Sequence, residues 1–312
     1  MNFGAHLPLI GFEDAPYSLD ILLEYTRTAE ALGYSTLATN DHLVFQRPWI
    51  DGPTALAAVL SATQSMALAT TVSLPVVRGP VALAKSLAAI DVLSGGRLWA
   101  GIGPGSSARD YEAVGVPFEE RWKRVDESAQ VLRALWRHDS EPFVGSFYST
   151  EGIALEPYPA RPNGIPIWIG SWGSEAGLRR VVRLADGWLA SGYNTNPPQF
   201  REAWASVKAG LVAAGRDADS FPNAISTMWC YVTEDRAEGE RVLEQVVARM
   251  LNRPVEKLRG LLSIGTAEQC AEIFNAYQDA GAQLTFIWPL RDPVRQLNLF
   301  MERVAPLVAT KR

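Results

Sequence analysis

A closed (β/α)8 barrel is the fold class that this 312-residue sequence predicts, with a hairpin inserted between its fourth helix and fifth strand. Eight short apolar runs alternate with amphipathic helical stretches, and such alternation builds parallel strands joined by helical crossovers. The length also suits a barrel, which takes roughly 250 residues and leaves the remainder for insertions. A doubly wound open sheet alternates in the same way, but eight repeats on this length favour closure. No internal repeat, low-complexity tract or linker divides the chain, so residues 1–312 are expected to form one barrel domain.

The elements follow in order. The run Asn2 to Leu7 is the first strand. Ser18 caps a helix whose apolar positions Leu19, Leu22, Leu23, Thr26, Ala29 and Leu32 recur at helical spacing until Gly33 stops it. Tyr34 to Thr39 is the second strand, and Pro53 to Gln64 the second helix, opened by proline. Ala67 to Ser73 is the third strand. Pro80 opens the third helix and Gly95-Gly96 closes it before the fourth strand, Arg97 to Ile102. The fourth helix begins after Phe118, with Trp122, Val125, Ala129, Leu132 and Trp136 on one face. From Glu141 to Pro166 the rhythm breaks into proline, glycine and aromatics. Phe143 to Tyr148 alternates there like a strand, which predicts the inserted hairpin. Pro166 to Gly170, Gly187 to Ser191, Ala224 to Val232 and Leu284 to Trp288 are the remaining strands. The helices among them run from Ser174 to Ala185, from Pro198 to Ala214 and from Asp235 to Met250, with another behind a Thr266/Gln269 capping box and a last one from Asp292-Pro293.

Composition narrows the function classes. A net charge of -5 gives no basic surplus for nucleic acid. No stretch of about 18 apolar residues is free of charges and breakers, so no membrane span is expected. The N-terminus lacks a basic segment leading into an apolar one, so no signal peptide is expected. Cys230 and Cys270 are too few and too far apart for a disulfide framework and suit reduced thiols in a cytoplasmic enzyme.

In a barrel, chemistry sits where strands end and the following loops begin. His6 stands at the first strand end, Asn40-Asp41-His42 at the second, and Thr70-Thr71-Val72-Ser73 at the third. Gly103-Pro104-Gly105-Ser106-Ser107 follows the fourth and Gly170-Ser171-Trp172-Gly173-Ser174 the fifth. His6, Asp41 and His42 could form a metal site, although barrel metallohydrolases gather more ligands, and no metal is expected. A Ser-His-Asp triad with Ser106 or Ser171 is formally possible, but neither serine lies in a Gly-x-Ser-x-Gly elbow. Structural, hydrogen-bonded histidines are the plainest alternative, and His138 near a helix end suits a solvated role. The two glycine loops together favour a planar cofactor with a phosphate tail. Gly170 to Ser174 leads from a strand into a helix start whose amides can bind phosphate, and Gly103 to Ser107 gives a second close backbone approach. Phe45, Trp49, Trp172, Tyr193 and Trp288 could line an apolar or aromatic substrate pocket.

From Phe3 to about Val304 the chain resembles the luciferase-like family of flavin and deazaflavin oxidoreductases. The resemblance is carried by Ala29-Glu30-Ala31-Leu32-Gly33-Tyr34 leading into Asn40-Asp41-His42, and by Leu93-Ser94-Gly95-Gly96-Arg97 leading into Gly101-Ile102-Gly103. Tyr111 to Gly115 follows, then Arg121, Arg124, Glu127 and Leu135-Trp136. Phe143 to Tyr148 resembles the family's inserted hairpin, and Pro166 to Gly170 and Ala185-Asp186-Gly187-Trp188 complete the pattern. It is their order and spacing together that are specific.

The resemblance implies a cofactor at the C-terminal mouth of the barrel, either coenzyme F420 or FMN, the latter supplied by a separate flavin reductase. The Asp41-His42 pair resembles the F420-using branch and favours F420. That branch often has a glutamate after the fourth strand, where this chain has Gly103 to Ser106. The expected activity is hydride transfer to or from a small organic substrate. The alternatives are an FMN-dependent two-component monooxygenase and a barrel that holds flavin without turnover. His42 is expected as general acid or base, Asp41 as the group that fixes its tautomer or bonds the cofactor ring, and His6 as an aid to binding. Thr71, Val72, Gly103, Gly105, Ser106 and Gly170 to Ser174 are expected to hold the cofactor. The resemblance further implies a non-proline cis peptide at Thr71-Val72. It also implies a homodimer packed through the charge-poor helices Pro53 to Gln64 and Pro80 to Leu93.

Overall fold

The computed structural model describes residues 1–12 and 17–308. Its strands are β1 (Asn2–His6), β2 (Thr36–Thr39), β3 (Ala67–Ser73), β4 (Leu98–Ile102), β5 (Ile167–Gly170), β6 (Gly187–Ser191), β7 (Asn223–Val232), β8 (Ser263–Gly265) and β9 (Leu284–Pro289). Each of β1 to β6 pairs in parallel with the next, β6 pairs with β7, β7 with β9, and β9 with β1, so eight strands close into a barrel. The ninth, β8, pairs only with Cys230 to Val232 at the far end of β7. It is an addition to the expected order, in a stretch whose sequence reads as irregular.

The barrel interior is filled by large rings set against small residues. Trp99 and Trp168 stack at 4.2 Å, Phe286 lies 5.9 Å from Trp99, and Ala38, Ala69 and Ala224 leave them room. Alternation of bulky and small inward residues fills a barrel of this size as a solid core. The outer helices bury their apolar stripes against the strands. In the helix Arg121–Leu135 these are Val125, Ala129, Leu132 and Leu135, and Trp136 beyond it donates its indole N–H to the Ala84 carbonyl at 3.1 Å. Predicted caps are present: the Ser18 hydroxyl accepts from Asp20 N, and Thr266 and Gln269 form a reciprocal capping box.

Several elements differ from expectation. The second helix is shorter, Gly52–Ala58, followed by a 3-10 turn at Leu60–Ala62. Two short helices, Pro75–Arg78 and Ala108–Ala113, lie in the loops after β3 and β4. The inserted hairpin is a single antiparallel bridge, Val144 with Ser149. Its tip is held by the Glu127 carboxylate, which accepts from the amides of Ser146, Phe147 and Tyr148 at 2.8, 2.8 and 3.2 Å. The peptide Thr71-Val72 is cis, as the resemblance implied, and the pairing of β3 with β4 shifts register there. Asp91, one of two charges in the helix Pro80–Leu93, faces inward and is fully buried. It accepts from the Ala160 amide at 3.0 Å and pairs with Arg161. The outer face of that helix leaves Val92 and Leu93 exposed.

Candidate active site

The strand ends open into a cavity of about 470 Å³, and a second of about 240 Å³ adjoins it. The two share Asn40, His42, Ser106, Trp172, Tyr193 and Thr227 on their walls. Nine of the ten expected cofactor residues line the larger cavity: Thr71, Val72, Gly103, Gly105, Ser106, Gly170, Ser171, Trp172 and Ser174. Gly173 faces an outer groove instead. All five expected aromatics, Phe45, Trp49, Trp172, Tyr193 and Trp288, line the smaller chamber, together with Trp229.

Val72 forms the floor between the glycine loops. A Cβ on Gly103 would stand 3.0 Å from Val72 Cγ2, and one on Gly170 would stand 3.1 Å from Val72 Cγ1. The glycines therefore let two loops close on one side chain and leave a smooth base to the cavity. Beyond Gly170, Ser174 caps the helix Glu175–Leu184, its hydroxyl accepting from Gly177 N at 3.2 Å. Within the first turn Glu175 N and Ala176 N have no intrahelical partner by position.

His42 sits on the loop after β2, where the two cavities meet. Its Nδ1 lies 2.7 Å from Asp110 Oδ2, and Asp110 Oδ1 accepts from the amides of Leu43 and Val44 at 2.9 and 2.8 Å. A carboxylate only accepts, so the proton is assigned to Nδ1 and Nε2 is left as the acceptor of the neutral ring. Burial works against the Asp110 carboxylate, but the bonds from His42, Val44 and Leu43 outweigh it and hold the group below the usual carboxylate range. Phe45 and Trp49 pack on the His42 ring at 4.9 and 4.7 Å and fix its plane.

Asp41 does not orient His42. Its two oxygens are taken by the Arg78 guanidinium, with bonds of 2.6 Å from Nε and from a terminal nitrogen, and by the Leu74 amide at 3.2 Å. Arg78 also pairs with Asp51. The pair needs Arg78, which the short helix after β3 presents, and Asp110 comes from the short helix after β4. Neither partner was anticipated, and neither stands near the histidine in sequence.

His6 is fully buried and lines neither cavity. Its ring stacks on Trp288 at 3.5 Å, and Nδ1 is 2.9 Å from the Leu7 carbonyl, so Nδ1 carries the proton. Burial drives its pKa down to about 3, which keeps the ring neutral. It supports a wall of the smaller chamber from behind and does not touch what the chamber holds. His6, Asp41 and His42 thus have three separate sets of partners, and among the described residues no group of three potential ligands stands together as a metal site. Ser171 Oγ accepts from Gly173 N at 3.4 Å, and His42 bonds Asp110 in place of a serine. His138 is exposed beside Asp139.

Other site residues escaped the sequence reading. Arg121 lines the larger cavity with its guanidinium 4.0 Å over the Phe118 ring, and it has no acidic partner among the described residues. Thr227 stands at a register shift in β7 with φ 58, a conformation costly for a β-branched residue.

The family model for luciferase-like monooxygenases matches residues 8–284. An F420-dependent hydroxymycolic acid dehydrogenase of Mycobacterium tuberculosis (strain ATCC 25618 / H37Rv) is 26% identical over 93% of this chain and 85% of its own. An F420-dependent glucose-6-phosphate dehydrogenase of Mycolicibacterium smegmatis is 30% identical over 68% of this chain and 65% of its own. Among solved structures, an F420-dependent secondary alcohol dehydrogenase in complex with an F420-acetone adduct superimposes with a TM-score of 0.85 at 18% identity, over 99% of both chains. The monooxygenase RslO1 from Streptomyces bottropensis gives 0.82 at 23% identity, over 99% of this chain and 100% of that one. With the closed barrel, the hairpin pinned by Glu127 and a family match across most of its length, this chain belongs to the luciferase-like monooxygenase family.

Proposed function

We propose that the protein is an oxidoreductase that uses coenzyme F420 for hydride transfer to or from a small organic substrate. The observation that carries this is the double cavity with His42 at its junction, ring plane and tautomer fixed and Nε2 free to exchange a proton. The two F420-dependent dehydrogenases among the relatives support the choice of cofactor. The larger cavity fits a planar cofactor, because Gly103 and Gly170 keep clear the floor that side chains there would fill. Thr71, Val72, Gly103, Gly105, Ser106, Gly170, Ser171, Trp172 and Ser174 would hold the rings. A phosphate would sit by the start of the helix Glu175–Leu184, with Gly173 in the same loop, and Arg121 offers a positive charge on the cavity wall. When bound, reduced F420 supplies a hydride from its C5.

The chain's own residues would do the rest. His42 Nε2 takes a proton from a substrate alcohol, or returns one to a carbonyl oxygen in the reverse direction, while Asp110 steadies the charged ring. Asp41, neutralised by Arg78, anchors the loop that carries His42. Phe45 and Trp49, packed against its ring, would shield His42 from bulk water. Mixing the purified protein with reduced F420 and, separately, with FMN tests this: F420 should be retained on gel filtration and oxidised by a carbonyl substrate. Retention of FMN instead, with oxygen uptake when NADH and a flavin reductase are added, would make it a two-component monooxygenase. Retention without any turnover would make it a binding protein.

The homodimer is part of the same proposal, packed through the helices Gly52–Ala58 and Pro80–Leu93, where Leu93 is 73% exposed. A cytoplasmic setting suits the two buried free thiols. No helix among the described residues is long and apolar enough to cross a membrane.

A further inference from the structure

We infer that the Thr227 hydroxyl is a substrate-binding group: a bulge in β7 turns it into the junction of the two cavities, where it donates a hydrogen bond to the oxygen of a neutral carbonyl or alcohol substrate. This rests on the oxidoreductase reading for the reaction, and it adds a residue and the substrate function that the residue holds. The backbone points to it first. Between Ile225 and Met228, β7 advances three residues while β9 advances two, from Thr285 to Ile287. One residue is therefore extra, and such bulges re-aim side chains beside active sites. Thr227 sits in that bulge with φ 58. Glycine takes this conformation without steric cost, whereas a β-branched residue takes it at a penalty that only its surroundings can sustain. Gly192, just after β6, leaves room for the bulge: a Cβ there would stand 3.2 Å from the Thr227 carbonyl oxygen.

The hydroxyl is the second observation. Neighbouring barrel hydroxyls are committed to backbone carbonyls: Thr70 donates to Gly101 at 2.7 Å and Ser226 to Ala190 at 2.9 Å. Ser73 Oγ has no partner but is sealed from the cavities. Thr227 Oγ1 makes no hydrogen bond among the described residues, and it is not sealed. Thr227 is only 9% exposed and lines both cavities, so what exposure it has opens into the site. A strained position is thus held by a threonine whose hydroxyl the protein itself leaves unused.

The state of His42 says what the hydroxyl is for. Asp110 holds the Nδ1 proton, so Nε2 of the neutral ring only accepts. A ketone oxygen also only accepts, and it needs a donor from another residue. Asn40, Ser106 and Tyr193 share the junction but stand on loops, and the Asn40 side-chain oxygen is already taken by Asp41 N at 2.6 Å. Thr227 is carried by a barrel strand, which places a group more precisely than a loop does. The alcohol form of the substrate suits the same two residues, since its oxygen accepts from Thr227 while its own proton goes toward His42 Nε2. Thr227 keeps its proton throughout, and its hydrogen bond strengthens as negative charge gathers on the substrate oxygen.

Acetone and cyclohexanone labelled with ¹³C at the carbonyl test this, bound to the purified protein with and without oxidised F420. The readouts are affinity, by titration calorimetry, and the infrared C=O stretch, which falls in frequency when the oxygen accepts a hydrogen bond. Thr227→Val keeps the shape and the β-branch and removes the donor. Thr227→Ser keeps the donor and removes the branch. The valine variant should bind either ketone roughly two- to tenfold more weakly, the worth of one neutral hydrogen bond, and its bound C=O stretch should rise. The serine variant should match the unmodified protein in both. Oxidation of bound reduced F420 by the same ketones in a single turnover should slow at least about tenfold in the valine variant and stay unchanged in the serine variant. Thr227→Ala, also without a hydroxyl, should follow valine, and it carries the test if the valine variant does not fold. Unchanged affinity and stretch in the valine variant overturn the inference. A serine variant as impaired as valine overturns it too, since packing rather than the hydroxyl would then matter, and so does failure of the unmodified protein to bind either ketone. Ketone binding that depends on the hydroxyl, with F420 neither retained nor oxidised, upholds this inference and sinks the oxidoreductase reading. Oxidation of F420 by a ketone at the same rate in the valine variant sinks this inference alone.

Discussion

Asp110→Asn separates a positioning role from a merely structural one. The substitution is nearly isosteric at a residue 1% exposed, and the asparagine oxygen can still accept from Leu43 N and Val44 N. What changes is the face toward His42. A group that accepts from Nδ1 at 2.7 Å becomes an amide that donates to it, so the ring proton moves to Nε2, the nitrogen that faces the reacting groups. Losing a charge-assisted bond alone is worth about 1.5–3 kcal/mol, or roughly 10- to 150-fold in rate. Presenting the wrong tautomer raises the expected loss toward roughly 10³–10⁴-fold, as in other histidine–aspartate pairs. The assay is single-turnover oxidation of bound reduced F420 by a carbonyl substrate, with ¹⁵N spectra of the His42 imidazole recorded on the same samples. The variant should fold, lose at least about 10²-fold in rate and show the proton on Nε2, and His42→Ala should lose roughly 10²–10⁴-fold. A variant with the original rate, or one with the proton still on Nδ1, refutes the assignment.

Three further outcomes follow from the same geometry. Arg78→Met leaves the Asp41 carboxylate buried and unpaired, and should cost about 3–5 kcal/mol in urea unfolding, most of it recovered by adding Asp41→Leu. His6 titrates at about 3 in the fold against about 6.5 in an unfolded chain, so the unfolded state binds the extra proton between those values. Stability is therefore fully present above pH 6.5 and is lost as pH falls through that window, at up to about 1.4 kcal/mol per pH unit, and His6→Gln should flatten that slope in pH-dependent melting. Leu93→Glu should turn a dimer into a monomer by sedimentation velocity with the fold intact, and a monomeric unmodified protein at micromolar concentration would end the dimer proposal.

The barrel was legible because each of its eight strands is an apolar run bounded by glycine, proline or a capping residue, and periodicity reports that directly. The elements that escaped are the ones too short to have a period. β8 has three residues, Pro75–Arg78 four and Ala108–Ala113 six. Two of them matter for the site, since they deliver Arg78 to Asp41 and Asp110 to His42. Asp110 is 68 residues from His42 and looks in sequence like a solvated acid in a helix's first turn. Only the folded barrel, in which the loops after β2 and β4 meet across the end of β3, shows otherwise. Asp41-His42 read as a working pair because the residues are adjacent, yet neighbours in an extended loop point their side chains apart, and each found a partner elsewhere.

The glycine loops teach the opposite caution. Gly103 and Gly170 were read as places where backbone approaches a cofactor. Their immediate cause is Val72, whose branched side chain comes within 3.0 and 3.1 Å of the positions a Cβ would occupy. A packing requirement and a binding requirement leave the same letters in the sequence, and here they coincide because Val72 is the floor on which both loops close. The phosphate assignment therefore stands on the first turn of the helix Glu175–Leu184 and on Arg121, and not on the glycines. Ala176→Pro removes one of the two first-turn amides without a partner and leaves the Val72 floor untouched. If the phosphate sits there, that variant should weaken F420 retention several-fold and leave riboflavin-like rings without a phosphate unaffected. Equal weakening of both would place the phosphate elsewhere and return the loop to a purely packing role.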